Sequence, residues 1–272
     1  MTIEASLVPP SASRISVLKR LGLLFSDTSV ITWRNLIGYF RIPEAAFFSS
    51  VQPVMFVLLF RYVFGGAIPI PGESYVDYLI PGIFVQTVAF GAIGTSIGLA
   101  QDLHTGLIER FRALPMSRSA VLAGRTLADL VRNVVVMGII TGVGFAVGFR
   151  LHTNVLAFFA ALGILLVFAY ALSWGFAVIG LSAPNAETAQ VMSFPLLFPM
   201  TFASTAFVPV KTMPSWLQPF VNNQPVSLVV NCTRALMTGG PTATYVEKAI
   251  IWSVGLFLVL SPLAVRKYRR MH

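Results

Sequence analysis

Charge is what this sequence has least of. Asp, Glu, Lys and Arg make up 11 % of it, against about 25 % in an ordinary soluble domain, and the mean hydropathy is +0.79. That composition argues against a soluble enzyme, and apolar runs of bilayer-crossing length make the span, rather than the domain, the unit to count. Cysteine is nearly missing: Cys232 alone rules out an intrachain disulfide or a thiolate metal cage and reads as a small apolar filler. The three histidines, His104, His152 and His272, are far apart and fall on both sides of the topology derived below, so no metal site is expected. Acidic residues inside spans, the usual mark of a proton relay, reduce to Asp129, close to a span end. No G-x-x-x-x-G-K-[ST] phosphate loop occurs, so the chain cannot hold ATP by that device. The opening "MTIEASLVPPSASRISVLKR" has no signal-peptide core, which places the N-terminus in the cytoplasm by expectation.

What is present is basic and greasy. Lys and Arg number 19 against 10 Asp and Glu, a formal charge of +9. In a membrane chain such residues report orientation and contact with anionic lipid, not nucleic acid. The pattern predicts six transmembrane helices, at about Ala45–Phe64, Tyr78–Ala100, Leu127–Phe149, Asn154–Leu181, Thr188–Val208 and Glu247–Val265, most of them near the roughly 20 residues a bilayer core requires. Before them, "DTSVITWRNLIGYFRI" (27–42) reads as a helix lying in the interface, capped by Asp27, with Trp33, Leu36, Ile37 and Phe40 on its apolar face. The competing reading is an ordinary start of the first span.

Basic residues outside the spans divide thirteen to three: Arg14, Lys19, Arg20, Arg34, Arg41, Arg110, Arg112, Arg118, Arg125, Arg266, Lys267, Arg269 and Arg270 on one side; Arg150, Lys211 and Arg234 on the other. Both termini are therefore expected in the cytoplasm. Pro214, Pro219 and Pro225 cut Met213–Gly240 into pieces too short to cross, predicting two short re-entrant helices on the outer face. The organisation is a cytoplasmic tail (1–26), a transmembrane domain (27–265) and a basic cytoplasmic tail (266–272), in an all-α integral membrane fold.

Between spans two and three lies "QDLHTGLIERFRALPMSRSAVLAGRTLADL". Asp102 can cap a short helix and Pro115 ends it. Leu103, Leu107, Phe111 and Leu114 fall on one face, opposite Thr105, Glu109 and Arg112, a cytoplasmic amphipathic helix. Three arginines would fix topology anywhere in a loop; the apolar stripe and the proline stop suit docking into a groove of another protein. The stretch "IERFRALPMSRSAVLAGRTLADL", with "SFPLLFPMTFASTAFVPVKTMPSWLQPFVNNQPVSLVVNCTRALMTGGP" and the tail "PLAVRKYRR", resembles the permease subunits of ABC-2-type exporters, in the daunorubicin-resistance-like branch. The resemblance covers the chain from about Asp102 onward and is weak before it. It implies that Asp102, Leu107, Glu109, Arg110, Phe111, Arg112, Leu114, Pro115 and Arg118 form a coupling helix seated on a separate ATPase subunit that holds ATP and Mg. It also implies two permeases working with two ATPases in the plasma membrane, exporting hydrophobic drugs or lipid-like compounds.

Arg125, Asp129 and Arg132 share one helical face beside Asn133, either as an anchored helix end or as the lining of an inward-facing vestibule. Phe194, Phe198 and Phe202 make an aromatic stripe around Pro195 and Pro199, which serves packing or forms a greasy wall along the transport path. Gln86, Thr87 and Thr95 join the path candidates from a second span rich in small residues, which also suits a dimer face. An ion-coupled secondary transporter and a lipid-modifying membrane enzyme are the competing classes; the first lacks a coupling-ion site and the second lacks clustered acid, base or metal ligands.

Overall fold

A computed structural model describes residues 17–270 apart from 42, 67, 69, 71, 73, 109 and 111–117. Its elements, in order, are α1 (Val17–Arg41), α2 (Pro43–Leu59) running into a π turn (Phe60–Phe64), α3 (Tyr75–Gly91), α4 (Ile93–His104), α5 (Arg118–Ala146), α6 (Val155–Gly180), α7 (Ala186–Phe202), a 3₁₀ turn (Val210–Thr212), α8 (Gln218–Asn223), α9 (Pro225–Thr238) and α10 (Thr242–Arg270). No strand occurs among the described residues.

The helix starts follow local chemistry. Asn154 Oδ1 accepts from the Ala157 amide at 2.7 Å and Asn185 Oδ1 from Thr188 at 2.8 Å, capping α6 and α7 and satisfying amides a helix start leaves open. Pro225 opens α9 where its missing N–H costs nothing, with the Gln224 side chain accepting from Val226. Gly148 and Gly239, at φ +102° and +101°, follow the ends of α5 and α9 in a conformation that favours glycine.

Four helical segments are long and apolar enough to cross a bilayer: Tyr75–His104, Ser119–Ala146, Val155–Gly180 and Thr242–Arg270; Ser50–Phe64 is apolar but shorter. The expected spans differ in three respects. α1 begins ten residues before the predicted interfacial helix, so Asp27 lies inside it and caps nothing. α5 starts at Arg118, and Ala120, Val121 and Leu122 are buried and extend its packed face toward its N-terminus. The fifth segment stops at Phe202, not at Val208, and the chain then crosses α3 without helical structure. The two short helices expected between Met213 and Gly240 are present as α8 and α9.

Two buried clusters hold the bundle. The larger joins α3, α5, α6 and α9 through residues such as Leu79, Ile83, Phe84, Met137, Phe168 and Val229. A second gathers Ile31, Leu99, Ile108, Val121, Leu122, Trp174 and Tyr268. α1 packs along α5, where Gly124 lets Ile31 approach; a Cβ there would stand 2.7 Å from the Ile31 Cβ. α10 keeps Ile250, Ile251, Leu258, Val259 and Leu263 exposed. Apolar surface of that extent signals contact with lipid or another chain.

The non-helical stretch after Phe202 is covered as membrane-depth backbone must be. Gln224 Nε2 donates to the Met200 carbonyl at 2.9 Å and Tyr78 Oη to that of Thr205 at 3.0 Å. Arg234 on α9 donates to the carbonyls of Thr205 and Tyr78 at 2.8 and 3.0 Å, with its guanidinium 3.6 Å from the Tyr78 ring centroid. Cys232 on α9 is fully buried, and desolvation pushes its thiol up to about 12. It should stay unmodified by maleimide in the folded protein at pH 8 and react on denaturation; labelling of the folded form would place α9 differently.

Candidate functional site

The Arg125, Asp129 and Arg132 face of α5 meets a groove on α3 and α4. Asp129 is 4 % exposed; its Oδ1 lies 2.8 Å from Arg132 Nη1 and its Oδ2 3.9 Å from Arg125 Nε while accepting from Thr95 Oγ1. The groove is cut by Gly91, Gly94 and Gly98. A Cβ at Gly94 would stand 2.6 Å from Arg132 Nη1, and one at Gly98 1.6 Å from Arg125 Nη2. Glycine there makes room for guanidinium groups that any side chain would displace.

The break between α3 and α4 supplies a further partner. The Thr95 amide donates to Ala92 at 3.1 Å, not to Gly91 four residues back, and the freed Gly91 carbonyl accepts from Arg132 Nη2 at 2.6 Å. A helix irregularity thus provides an acceptor for a buried cation, as complete pairing of buried groups demands. Arg125 donates to the Gly94 carbonyl at 3.3 Å.

The ion set continues toward the end of α4. Asp102 Oδ2 stands 3.3 Å from Arg34 of α1 and 3.9 Å from Arg125. Asp102 is therefore inside α4, in its last turn, and does not cap a helix. Just beyond it Gly106, at φ +68°, turns the chain into the helical residues Leu107, Ile108 and Arg110. Ile108 is buried in the second cluster, Leu107 half-buried and Arg110 exposed. The apolar stripe drawn from the sequence missed Ile108, one position off its chosen face. Glu109, Phe111, Arg112, Leu114 and Pro115 lie outside the described residues, and Arg118 opens α5.

At the other end of the set, Arg132 and Asn133 line a pocket of ≈ 250 Å³ between α2, α3, α4, α5 and α7, with Phe56, Phe90 and Phe194 among its apolar walls. Of the path candidates, Gln86, Thr87 and Phe194 line it. Thr95 does not, being spent on Asp129, and Phe202 packs between Phe198 (4.4 Å between centroids) and Phe207 (5.3 Å) in an aromatic cluster near the outer end. Gln52 and Gln190 also line the pocket; no periodicity in the sequence singled them out. Almost all of α3 is buried within the protomer, which removes its first half as a dimer face.

Outside this centre, Asp77 at the outer end of α3 accepts from the Arg150 amide at 2.9 Å and stands 4.0 Å from His152 Nε2. Among the described residues no three His, Cys, Asp or Glu side chains gather as metal ligands.

A helical bundle with apolar exposed flanks, an ionic track centred on Asp129 and a pocket at the end of that track fits a multi-pass membrane permease. The chain belongs to the ABC-2 type transporter family, whose model matches residues 26–238. It is 35 % identical over 90 % of its length, and 86 % of the relative's, to the daunorubicin resistance ABC transporter permease protein DrrB1 of Streptomyces coeruleorubidus. It is 28 % identical to the probable doxorubicin resistance ABC transporter permease protein DrrC of Mycobacterium tuberculosis, covering 91 % of this chain and 90 % of that one. The putative transport permease ycf38 of Pyropia yezoensis is 26 % identical, with 78 % and 74 % covered.

Proposed function

We propose that this chain is the membrane-spanning subunit of an ATP-driven exporter that moves hydrophobic drugs or lipid-like compounds out of the cytoplasm or inner leaflet. ATP and Mg are held by a separate nucleotide-binding subunit, and two permeases, identical or different, pair with two such ATPases in the plasma membrane. The chain crosses six times, with α2 and α7 as the short crossings, both termini are cytoplasmic, and α8 and α9 dip in from the outer face. The segment that begins at Leu107 docks on the ATPase subunit.

One observation carries this reading: the ionic track Arg34–Asp102–Arg125–Asp129–Arg132 runs from beside the docking turn to the wall of the pocket. Displacing the docking turn strains a set of partly buried charges, with Asp129 the buried member and Arg132 at the pocket wall, a physically contiguous network between the two sites. A proton-driven alternative finds no support at Asp129, where both oxygens are engaged by arginines and Thr95.

The test is co-purification. Phe111→Asp with Leu114→Asp should abolish association with the ATPase subunit, a loss of at least about 100-fold in affinity if two apolar anchors of about 1.5–3 kcal/mol each are removed, while the permease keeps its helical content and Tm. Retained association would remove the docking assignment.

A further inference from the structure

Arg61 differs from the other half-buried arginines among the described residues. Arg34, Arg125, Arg132 and Arg234 each donate to a carboxylate or a backbone carbonyl. Arg61 makes no ion pair and no hydrogen bond. Its Nε is buried without a partner, whereas its two Nη atoms are not buried, so they are the donors a ligand can reach.

Its surroundings are apolar on both sides along the helix. Arg61 lies in the π turn Phe60–Phe64 that follows α2; Val63 and Phe64 beyond it are 67 % and 40 % exposed, and Met55, Leu58 and Leu59 before it are exposed as well. On a crossing helix such a surface faces lipid, where an ionisable side chain needs a partner and a long one near a helix end reaches for the headgroup layer. Phe60 stacks on Phe207 at 4.5 Å between centroids and meets Phe64 at 5.2 Å, which pins one side of the turn to the bundle. The exposed Tyr62 ring stands 6.0 Å from the guanidinium carbon, an aromatic of the kind enriched at membrane interfaces.

The fixed anion of that layer is phosphate, and a guanidinium offers it two parallel donors. The distances suit a phospholipid. Leu58 lies one turn back from Arg61, and from Arg61 to Gln52 nine helical residues rise about 13 Å, close to half of the roughly 30 Å hydrocarbon core. Gln52 and Phe56 line the pocket.

We infer that Arg61, with Tyr62 beside it, holds the phosphate of a membrane phospholipid whose acyl chain runs along Leu58, Leu59 and Met55 to the pocket rim at Gln52. The inference rests on the exporter reading, in which α2 is a crossing, and adds a resident lipid on the flank of the pocket.

The complex of permease and ATPase in detergent micelles provides the test, with photoreactive p-benzoylphenylalanine in place of the exposed Leu58 and lipid added back. Crosslinked lipid is measured by mass spectrometry against the concentration of phosphatidylglycerol, phosphatidylcholine or diacylglycerol carrying the same chains; diacylglycerol lacks the phosphate. Both phospholipids should half-saturate at about tenfold lower concentration than diacylglycerol, the worth of one charge-assisted hydrogen bond. Arg61→Gln should remove that advantage while diacylglycerol crosslinking, Tm and ATPase association stay unchanged, and Arg61→Lys should keep part of it. Equal half-saturation by phospholipid and diacylglycerol in the otherwise unaltered chain overturns the inference without any Arg61 variant. Displacement of phospholipid by inorganic phosphate also overturns it, because the site would then be one for a free anion. Glu73→Gln, at a carboxylate outside the described residues, should change nothing; tighter phospholipid binding in that variant would make Glu73 the partner of Arg61 and overturn the inference too. Loss of the phospholipid advantage with ATPase association intact sinks this inference alone; failure of the permease to associate with any ATPase sinks the exporter reading, and the lipid comparison then runs on the permease by itself.

Discussion

Asp129→Ala should destabilise the folded protein by about 3–5 kcal/mol, the range for removing one member of a buried ion pair, and lower Tm by on the order of 10 °C. The cost comes less from the lost attraction than from what remains. Arg125 and Arg132 sit in a glycine groove with side chains only 21 % and 15 % exposed, and Asp129 is the carboxylate that contacts both. Without it Arg132 keeps the Gly91 carbonyl, a neutral acceptor that cannot offset a charge in a low-dielectric setting. Asp129→Leu combined with Arg132→Met should recover part of the loss, because the two groups removed together leave no orphan charge between them. A melting curve for Asp129→Ala indistinguishable from wild type would mean that water reaches the cluster and that the track is a solvated surface feature.

Gly82→Ala should be nearly as damaging for an unrelated reason. A Cβ at position 82 would stand 2.1 Å from the carbonyl oxygen of Ala206 and 2.8 Å from its Cα. Those atoms are backbone, in a stretch fixed by bonds from Tyr78, Arg234 and Gln224, so neither side can yield by changing a rotamer. Overpacking of this kind costs about 1–3 kcal/mol, and a backbone-to-backbone clash belongs at the upper end. Gly163→Ala is the internal control: it lies within α6 with nothing within 4 Å of its added Cβ, and alanine's higher helix propensity should leave it neutral or more stable by up to about 1 kcal/mol. Parallel thermal melts compare the two; equal Tm values would show that Ala203–Pro209 does not press on α3.

These two sites bracket the pocket. On one side, charge pairing holds α5 against α4, and Ile108 fixes the turn after α4 in the same core as Leu99, Val121 and Trp174. On the other, α3 is clamped by the broken stretch after α7. On the proposed reading, a pull on that turn would reach α4 through Asp102 and Ile108 together, and α4 shares the pocket wall with α7 through Ile93, Ile97 and Phe194.

Much of this was legible in the sequence. Low charge, long apolar runs and the asymmetry of basic residues identified a multi-helix membrane chain, and three prolines divided Met213–Gly240 into α8 and α9. The Arg125–Asp129–Arg132 stripe was visible as a helical face, with the Asp129–Arg132 pair as one of its readings, and Gln86, Thr87 and Phe194 were chosen as path residues that do share one pocket. Asp102 was read as a cap because Asp before an apolar run usually is one; Arg34 and Arg125, 68 and 23 positions away along the chain, decide otherwise. Gly91, Gly94 and Gly98 were read as small residues for helix packing, which is correct in kind, but the partner they admit is a pair of guanidinium groups on another helix. The end of α7 at Phe202 was missed because Ala203, Ala206, Phe207 and Val208 keep the stretch largely apolar and no proline or glycine interrupts it before Val208, while the close passage of Ala206 over Gly82 is visible only in the folded chain.

By itself the sequence determined what depends on neighbours along the chain: which segments are apolar enough to leave water, where prolines and caps interrupt them, which ends carry positive charge, and the family whose blocks they resemble. Only the tertiary structure decided what Asp129, Asp102 and Ile108 face, and hence that an ionic track centred on the buried Asp129 ends at the wall of a pocket. The physical reason is that hydropathy and helical period are properties of one segment, whereas pairing a buried charge or leaving a donor open depends on ångström-scale approach between segments that no local pattern encodes.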